Sequence, residues 1–344
     1  MRAAPPKELE TSAVSDFVAD GWGLEVEAVD YAAVGGGSYH WVVSLEGRRG
    51  FVTADDLDQK PWLGETRESA FEGLGRAFST AAALRDSGLD FVVAPMQMDG
   101  GETVRRVGSR HSMALFPFVA GQAGTFGQYE TAERRALLAM LTELHRATPL
   151  VVSTASRVDL DLPGRRRLEA ALGELDQTWS AGPFSEPARR ALARHLSDVV
   201  ELLGFSDGLS VEVTRRSGDW VVTHGEPHGG NVMRTGDGYV LVDWDTVALA
   251  PPERDLWMLV TDDGEEAAAY AEATGHELDQ ATMHFFRLRW DLADIAAFTD
   301  LLRSPHERTK DTEKAYDALM FYLGIRDQWA ARLATVPTSR KARV

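Results

Sequence analysis

Hydrophobic and polar positions change their spacing at about residue 120. Before it, "EVEAVDYAAV" (25–34), "HWVVSLEG" (40–47) and "RGFVTADDL" (49–57) are short β-rich runs separated by "GGGSY" and "EGR". This pattern predicts consecutive antiparallel strands with tight connections. A helical pattern over 66–88, "TRESAFEGLGRAFSTAAALRDSG", stops at Gly88, and "FVVAPMQM" (91–98) and "SMALFPFVAG" (112–121) read as two more strands. Beyond "FPFVAGQAG", long helical periodicities cover 130–148, 165–180, 186–204, 281–303 and 312–334, and only the stretch from about 219 to 250 interrupts them with strands. No internal repeat occurs, and the ends, "AAPP" and "TSRKARV", are expected to be loose. The pattern predicts two lobes: 1–118, a small sheet carrying one helix, and 119–344, mainly helical, joined by a hinge at about 115–121.

A chain of 344 residues with 44% hydrophobic content can bury a substantial core. No run of about 18 apolar residues occurs. The start, "MRAAPPKELETSAVSDFVADGWG", lacks a basic segment followed by an apolar one, so a cytoplasmic protein with no membrane partner is expected. The lack of cysteine excludes disulfides, thiolate metal sites and cysteine nucleophiles. A formal net charge of -17 leaves too little Lys and Arg to displace counterions from a nucleic acid backbone, so no nucleic acid partner is expected. Cationic small molecules are the easier partners, although acidity also serves solubility.

Residues 221–233, "VVTHGEPHGGNVM", put His224, Glu226, His228 and Asn231 on one short loop between two apolar runs. A zinc deaminase reading of His224-Gly-Glu226 needs two thiolates that the chain lacks. His224 and His228 would share a face only on a helix, which Pro227, Gly229 and Gly230 oppose. Kinase catalytic loops use more of these residues. In them an acid accepts the proton of the attacking hydroxyl, an Asn five positions later holds Mg²⁺, and an Asp on a downstream strand holds it too. Glu226, Asn231 and Asp243 of "YVLVDWDT" occur in that order, with a "TGDG" turn between.

"HGEPHGGNV", "LVDWDT" and "PPERDLWML" together resemble the aminoglycoside phosphotransferase and choline kinase superfamily. The likeness is strongest to its spectinomycin phosphotransferase-like branch, where "PPERDLWML" and the "RLRWDL" helix have similar counterparts. It spans nearly the whole chain and is most specific over 219–260. The resemblance implies an α+β, bilobal protein-kinase-like fold, with a small antiparallel-sheet N-lobe that binds nucleotide and a mainly helical C-lobe that carries catalytic loop, metal site and substrate pocket. It implies that Asn231 and Asp243 hold Mg²⁺ and that Asp255 supports the loop from behind. "LFPFVAG", with Phe116 and Phe118, resembles the hinge whose backbone meets adenine; one of the two rings is expected in the core by strand alternation. "AVGGGSYHW" puts Gly35, Gly36, Gly37 and Ser38 where kinase-like folds cover the nucleotide phosphates, although a plain hairpin has the same composition.

Two positions depart from the family pattern. The loop acid is Glu226 where the family usually has Asp. The extra methylene moves the carboxylate by roughly 1 Å, which can cost about 100-fold in rate unless loop or acceptor adjusts. Adjustment is expected, because phosphoryl transfer depends on positioning and charge neutralisation. On the third strand, "RRGFVTADDL", Thr53 stands near the place of the usual phosphate-pairing lysine. Lys60, the only lysine across residues 11–300, either reaches the phosphates, with Glu68 or Glu72 of the next helix as partner, or is an exposed loop residue. His224 is expected to brace the loop, His228 to face phosphate or substrate, and His111 and His145 to be structural or exposed. Asp291 and Asp294, one turn apart, form a solvated face or, by the resemblance, the wall of a pocket for substrate ammonium groups.

The expected activity is Mg²⁺-assisted transfer of the γ-phosphate of ATP or GTP to a hydroxyl of a small molecule. An aminocyclitol or aminoglycoside antibiotic is favoured, with resistance or self-protection as the role. The alternatives are a kinase of the same superfamily acting on a nucleoside antibiotic, choline or a sugar, and a pseudokinase that binds nucleotide without turnover.

Overall fold

In the computed structural model, which describes residues 2–127, 129–215, 220–261 and 264–324, the β-rich runs near the N-terminus pair as expected. β1 (Val26–Ala32), β2 (Tyr39–Leu45) and β3 (Arg48–Asp56) are successive antiparallel neighbours. With β4 (Arg105–Val107) and β5 (His111–Pro117) they form a five-stranded sheet of order β1-β2-β3-β5-β4. The pleat sends alternate residues to opposite faces, and one helix covers each. Val14, Phe17 and Val18 of α1 (Thr11–Trp22) pack with Trp41, Val43, Val52 and Leu115. Leu74 and Phe78 of α2 (Arg67–Asp86), which opens on a capping box between Thr66 and Ser69, pack with Ala114 and Phe116. Gly50 on β3 permits this closure: a Cβ there would stand 2.8 Å from Leu115 Cδ1 and 2.9 Å from Val43 Cγ2.

Three local expectations change here. The N-terminal segment is docked rather than loose, since Leu9 is buried in the α1 cluster and Tyr31 Oη donates to the Arg2 carbonyl at 2.7 Å. Helix α1 itself was not legible in the strand-like opening third. "FVVAPMQM" is not a strand: Val92 makes one parallel bridge to Leu241, and Pro95, which has no N–H to offer a ladder, follows three residues on.

The described residues fall into two compact units, Met1–Asp159 with Asp219–Glu277, and Leu160–Gly218 with Leu278–Val344. The expected lobe boundary at 118/119 therefore lies inside the first unit. That unit also holds β6 (Gln122–Ala123), α3 (Thr131–Arg146), α4 (Thr148–Val151) and β7 (Val221–Thr223). It continues with β8 (Val232–Thr235), β9 (Gly238–Leu241), β10 (Ala248–Ala250), α8 (Glu253–Leu256) and α9 (Glu265–Thr274). The strands pair as β6-β8-β9 and β10-β7.

The second unit is helical: α5 (Arg165–Gly173), α6 (Ser185–Arg194), α7 (Leu196–Arg215), α10 (Gln280–Arg303) and α11 (Lys310–Leu323). Leu288, Leu292 and Ile295 of α10, spaced along one helical face, share a core with Leu168, Val199, Leu203 and Leu319. The helical run over 186–204 is two helices, parted at His195, whose N–H closes the end of α6 on the Ala191 and Leu192 carbonyls. The expected end of the last helix and the tail "TSRKARV" lie outside the described residues. Among those described, no helix is long and apolar enough to cross a membrane.

Candidate active site

The loop over 224–231 is held by buried polar groups. The Asp255 carboxylate, fully buried on α8, accepts the backbone N–H of His224 at 2.8 Å on Oδ2 and that of Gly225 at 2.6 Å on Oδ1. Its Oδ2 is also 3.1 Å from His145 Nε2, and His145 Nδ1 is 2.8 Å from Tyr270 Oη, so His145 is a buried strut on α3. Burial alone would raise the Asp255 pKa, but the hydrogen bond and charge of His145 and the Arg254 guanidinium hold it below the usual carboxylate range. Arg254 Nη1 donates to Thr223 Oγ1 at 2.7 Å and Nη2 to the Thr246 carbonyl at 2.8 Å. Gly225 has φ 98°, and a Cβ there would lie 2.2 Å from Arg254 Nη2, so only glycine fits between the loop and its brace.

His224 is fully buried against the Trp244 ring. Its Nε2 donates to the Val242 carbonyl at 3.0 Å and its Nδ1 accepts the Glu226 N–H at 3.2 Å, the pattern of a neutral imidazole. Burial pulls its pKa from 6.5 to about 4. The unfolded chain therefore takes up a proton below pH 6.5 that the folded one refuses until about pH 4, so this group's stabilisation is present above 6.5 and lost as pH falls through that window. Up to about 3 kcal/mol of stability is expected to disappear between pH 7 and pH 4. His40 and His228 have pKa values lowered to about 4 by burial as well. Urea unfolding across that range should accordingly show a steeper fall for the wild type than for His224→Gln, and equal slopes would refute the assignment.

Asn231 ends a 3₁₀ turn, Gly229–Asn231, and its Nδ2 donates to the Glu226 carbonyl at 2.9 Å, which orients the amide and leaves Oδ1 for another partner. Asp243, just past β9, has φ 67° and is the sole non-glycine residue with positive φ among the described residues. Asp is one of the few side chains that tolerate this region. Protein atoms surround Asp243 although its surface stays open to solvent; this crowding and the Asp245 carboxylate push its pKa up to about 7. Among the described residues, no three His, Cys, Asp or Glu side chains converge as a metal cage. Asn231 with Asp243 offers two hard oxygen donors, a set that suits Mg²⁺ when phosphates and water complete its shell. The raised Asp243 pKa marks negative charge that a cation would offset.

Across from these residues, Gly35 (φ 64°), Gly36, Gly37 and Ser38 form the bend between β1 and β2. Lys60 follows a 3₁₀ turn, Leu57–Gln59, after β3 and is only 2% exposed, so it is not an exposed loop residue. Its Nζ lies 2.5 Å from Asp245 Oδ2, 2.8 Å from Asp55 Oδ1 and 3.1 Å from Ser38 Oγ. Burial would lower its pKa, but Asp245 and Asp55 hold it well above the ordinary lysine range. Glu68 and Glu72 are not its partners, as they pair with Arg106 and Arg76. Thr53 Oγ1 is 3.3 Å from His40 Nδ1.

The remaining expected residues are spread more widely. Phe116 is buried edge-on against Phe78, whereas Phe118 lies past the end of β5 under the Arg49 guanidinium, 3.8 Å from its ring centre. His228 is half-buried against the Phe126 ring, and His111 is buried in β5. Asp291 and Asp294, both half-buried, lie on α10 in the second unit. Burial raises the Asp294 pKa to about 6 against hydrogen bonds with Tyr322 and Trp290. Sequence reading missed Asp55, Asp245, Arg254 and the bracing role of His145; the one local signal was the second acid of "DWD".

Residues 48–289 match the phosphotransferase enzyme family. Protein StrN of Streptomyces griseus is 28% identical over 258 residues, 72% of this chain and 76% of its own. Spectinomycin phosphotransferase APH(9)-Ia, solved with ADP and spectinomycin, superposes with a TM-score of 0.69 at 16% identity, over 93% of this chain and 99% of that one. Choline kinase LicA from Streptococcus pneumoniae does so with a TM-score of 0.54 at 11% identity, over 91% and 98%. The fold is the expected α+β protein-kinase-like one, and the chain belongs to the phosphotransferase enzyme family.

Proposed function

We propose that this phosphotransferase transfers the γ-phosphate of ATP or GTP to a hydroxyl of an aminocyclitol or aminoglycoside-type antibiotic in the cytoplasm, as resistance or self-protection. The observation that carries the reading is the loop over 224–231, fixed by Asp255, His224 and Asn231 so that Glu226 projects from a backbone anchored at both its N–H and its carbonyl. Glu226 accepts the proton of the acceptor hydroxyl as its oxygen attacks phosphorus. Asn231 Oδ1 and the Asp243 carboxylate hold Mg²⁺. When bound, that ion neutralises charge on the β- and γ-phosphates. Backbone N–H groups of residues 35–38 cover the phosphates, and the chain around Phe116 and Phe118 meets the base.

The acceptor class rests on the likeness to a spectinomycin phosphotransferase and on the net charge of -17; as separate expectations, His228 on the loop faces phosphate or substrate, and Asp291 and Asp294 on α10 suit ammonium groups. The likeness to choline kinase keeps choline as the second acceptor. Nucleotide consumption with Mg²⁺ across aminocyclitols, aminoglycosides, nucleoside antibiotics, choline and sugars tests the reading. Consumption stimulated by an aminocyclitol or aminoglycoside supports it; stimulation by choline alone would move the acceptor, and none by any would favour nucleotide binding without turnover.

A further inference from the structure

We propose that Lys60 anchors the nucleotide phosphates from an unusual position, after β3 rather than within it, and that it exchanges Asp245 for phosphate when nucleotide and cation bind. The inference rests on the reading that residues 35–38 cover the phosphates and that Asn231 and Asp243 hold the cation. The Lys60 ammonium, 2% exposed, is enclosed by three partners: it donates to Asp245 and Ser38 and is ion-paired with Asp55. A phosphate oxygen can therefore bind Lys60 only by displacing one of them.

Two of the three come from the same stretch of chain as Lys60: Asp55 lies on β3 and Ser38 in the bend before β2. Ser38 Oγ donates to Asp55 Oδ1 at 2.5 Å, so these partners are tied to each other, and Asp55 Oδ2 is buried without a hydrogen-bond partner among the described residues. Asp245 comes from 185 positions along the chain and stands two residues after Asp243. Asp55, Asp243 and Asp245 carry three formal negative charges against the single charge of Lys60, an excess that one divalent cation would balance. A cation arriving at Asp243 competes with the ammonium for Asp245, and Lys60, retained by Asp55, gains a free donor. The bend of residues 35–38 passes close to the ammonium: a Cβ on Gly37 would be 3.9 Å from Nζ.

Titration calorimetry with ATP and GTP, and with adenosine and guanosine, tests the proposal. Lys60→Met leaves two buried carboxylates without their cation, so Lys60→Met/Asp55→Asn is the balanced companion, and nucleoside affinity reports that the site is folded. Either Lys60 variant is expected to bind the triphosphate about 10- to 100-fold more weakly while nucleoside affinity stays within about twofold. In metal-free buffer, Asp245→Asn is expected to bind triphosphate several-fold more tightly, a gain that vanishes when Lys60→Met is added. Triphosphate affinity unchanged by the Lys60 variants, or an Asp245→Asn gain that persists without Lys60, would overturn the proposal alone. Wild-type protein that binds neither triphosphate would overturn the nucleotide reading beneath it as well.

Discussion

Glu226→Gln is expected to lower turnover by about 100- to 10,000-fold while leaving nucleotide affinity and melting temperature unchanged. Gln preserves the size and polarity of the side chain and removes its negative charge and its capacity to take a proton. The backbone beneath it does not depend on the carboxylate, since the Glu226 N–H is held by His224 and its carbonyl by Asn231. Steady-state kinetics on the acceptor that stimulates consumption give the comparison. Glu226→Asp separates geometry from basicity: retracting the carboxylate by roughly 1 Å should cost up to about 100-fold if the pocket is fitted to Glu. Turnover within about tenfold of wild type in Glu226→Gln would remove Glu226 as the base and point to transfer driven by positioning and charge alone.

Asp255→Ala carries the largest expected loss of stability, about 3–5 kcal/mol. The carboxylate is fully buried and receives two backbone N–H groups and the His145 ring, so Ala would leave three donors without an acceptor away from water. The loss falls on the loop itself, because two of those donors are the backbone of His224 and Gly225. Asp255→Asn should recover little, since one amide oxygen replaces two carboxylate oxygens and its NH₂ would face a donor. Urea unfolding at pH 7 measures both variants, and a loss under about 1 kcal/mol would show that the loop does not rely on Asp255.

Local patterns carried much of the fold. The alternation in β2 and β3, the capping residues of α2 and the periodicity of α3 and α10 are short-range signals, and they were legible. The order of Glu226, Asn231 and Asp243 was legible too, because a loop and the hairpin after it compress the site into 18 consecutive positions. What escaped depends on distant contacts. Nothing near Lys60 indicates that its partner is Asp245, and the exposed helix residues Glu68 and Glu72 were nearer in sequence but already paired to arginines. His145 becomes a strut only because α3 brings it to Asp255, 110 positions away. Helix α1 was hidden because its core residues, Val14, Phe17 and Val18, are few and lie in a segment where strand-like alternation follows closely.

The most direct measurement is mass spectrometry of the acceptor after incubation with ATP or GTP, Mg²⁺ and the antibiotic panel, aminocyclitols first. Wild-type protein should add one phosphoryl group to a hydroxyl of an aminocyclitol or aminoglycoside, and Glu226→Gln at the same concentration and time should not. Nucleotide bound tightly by the wild type, with no member of the panel gaining a phosphoryl group, would contradict the antibiotic kinase reading.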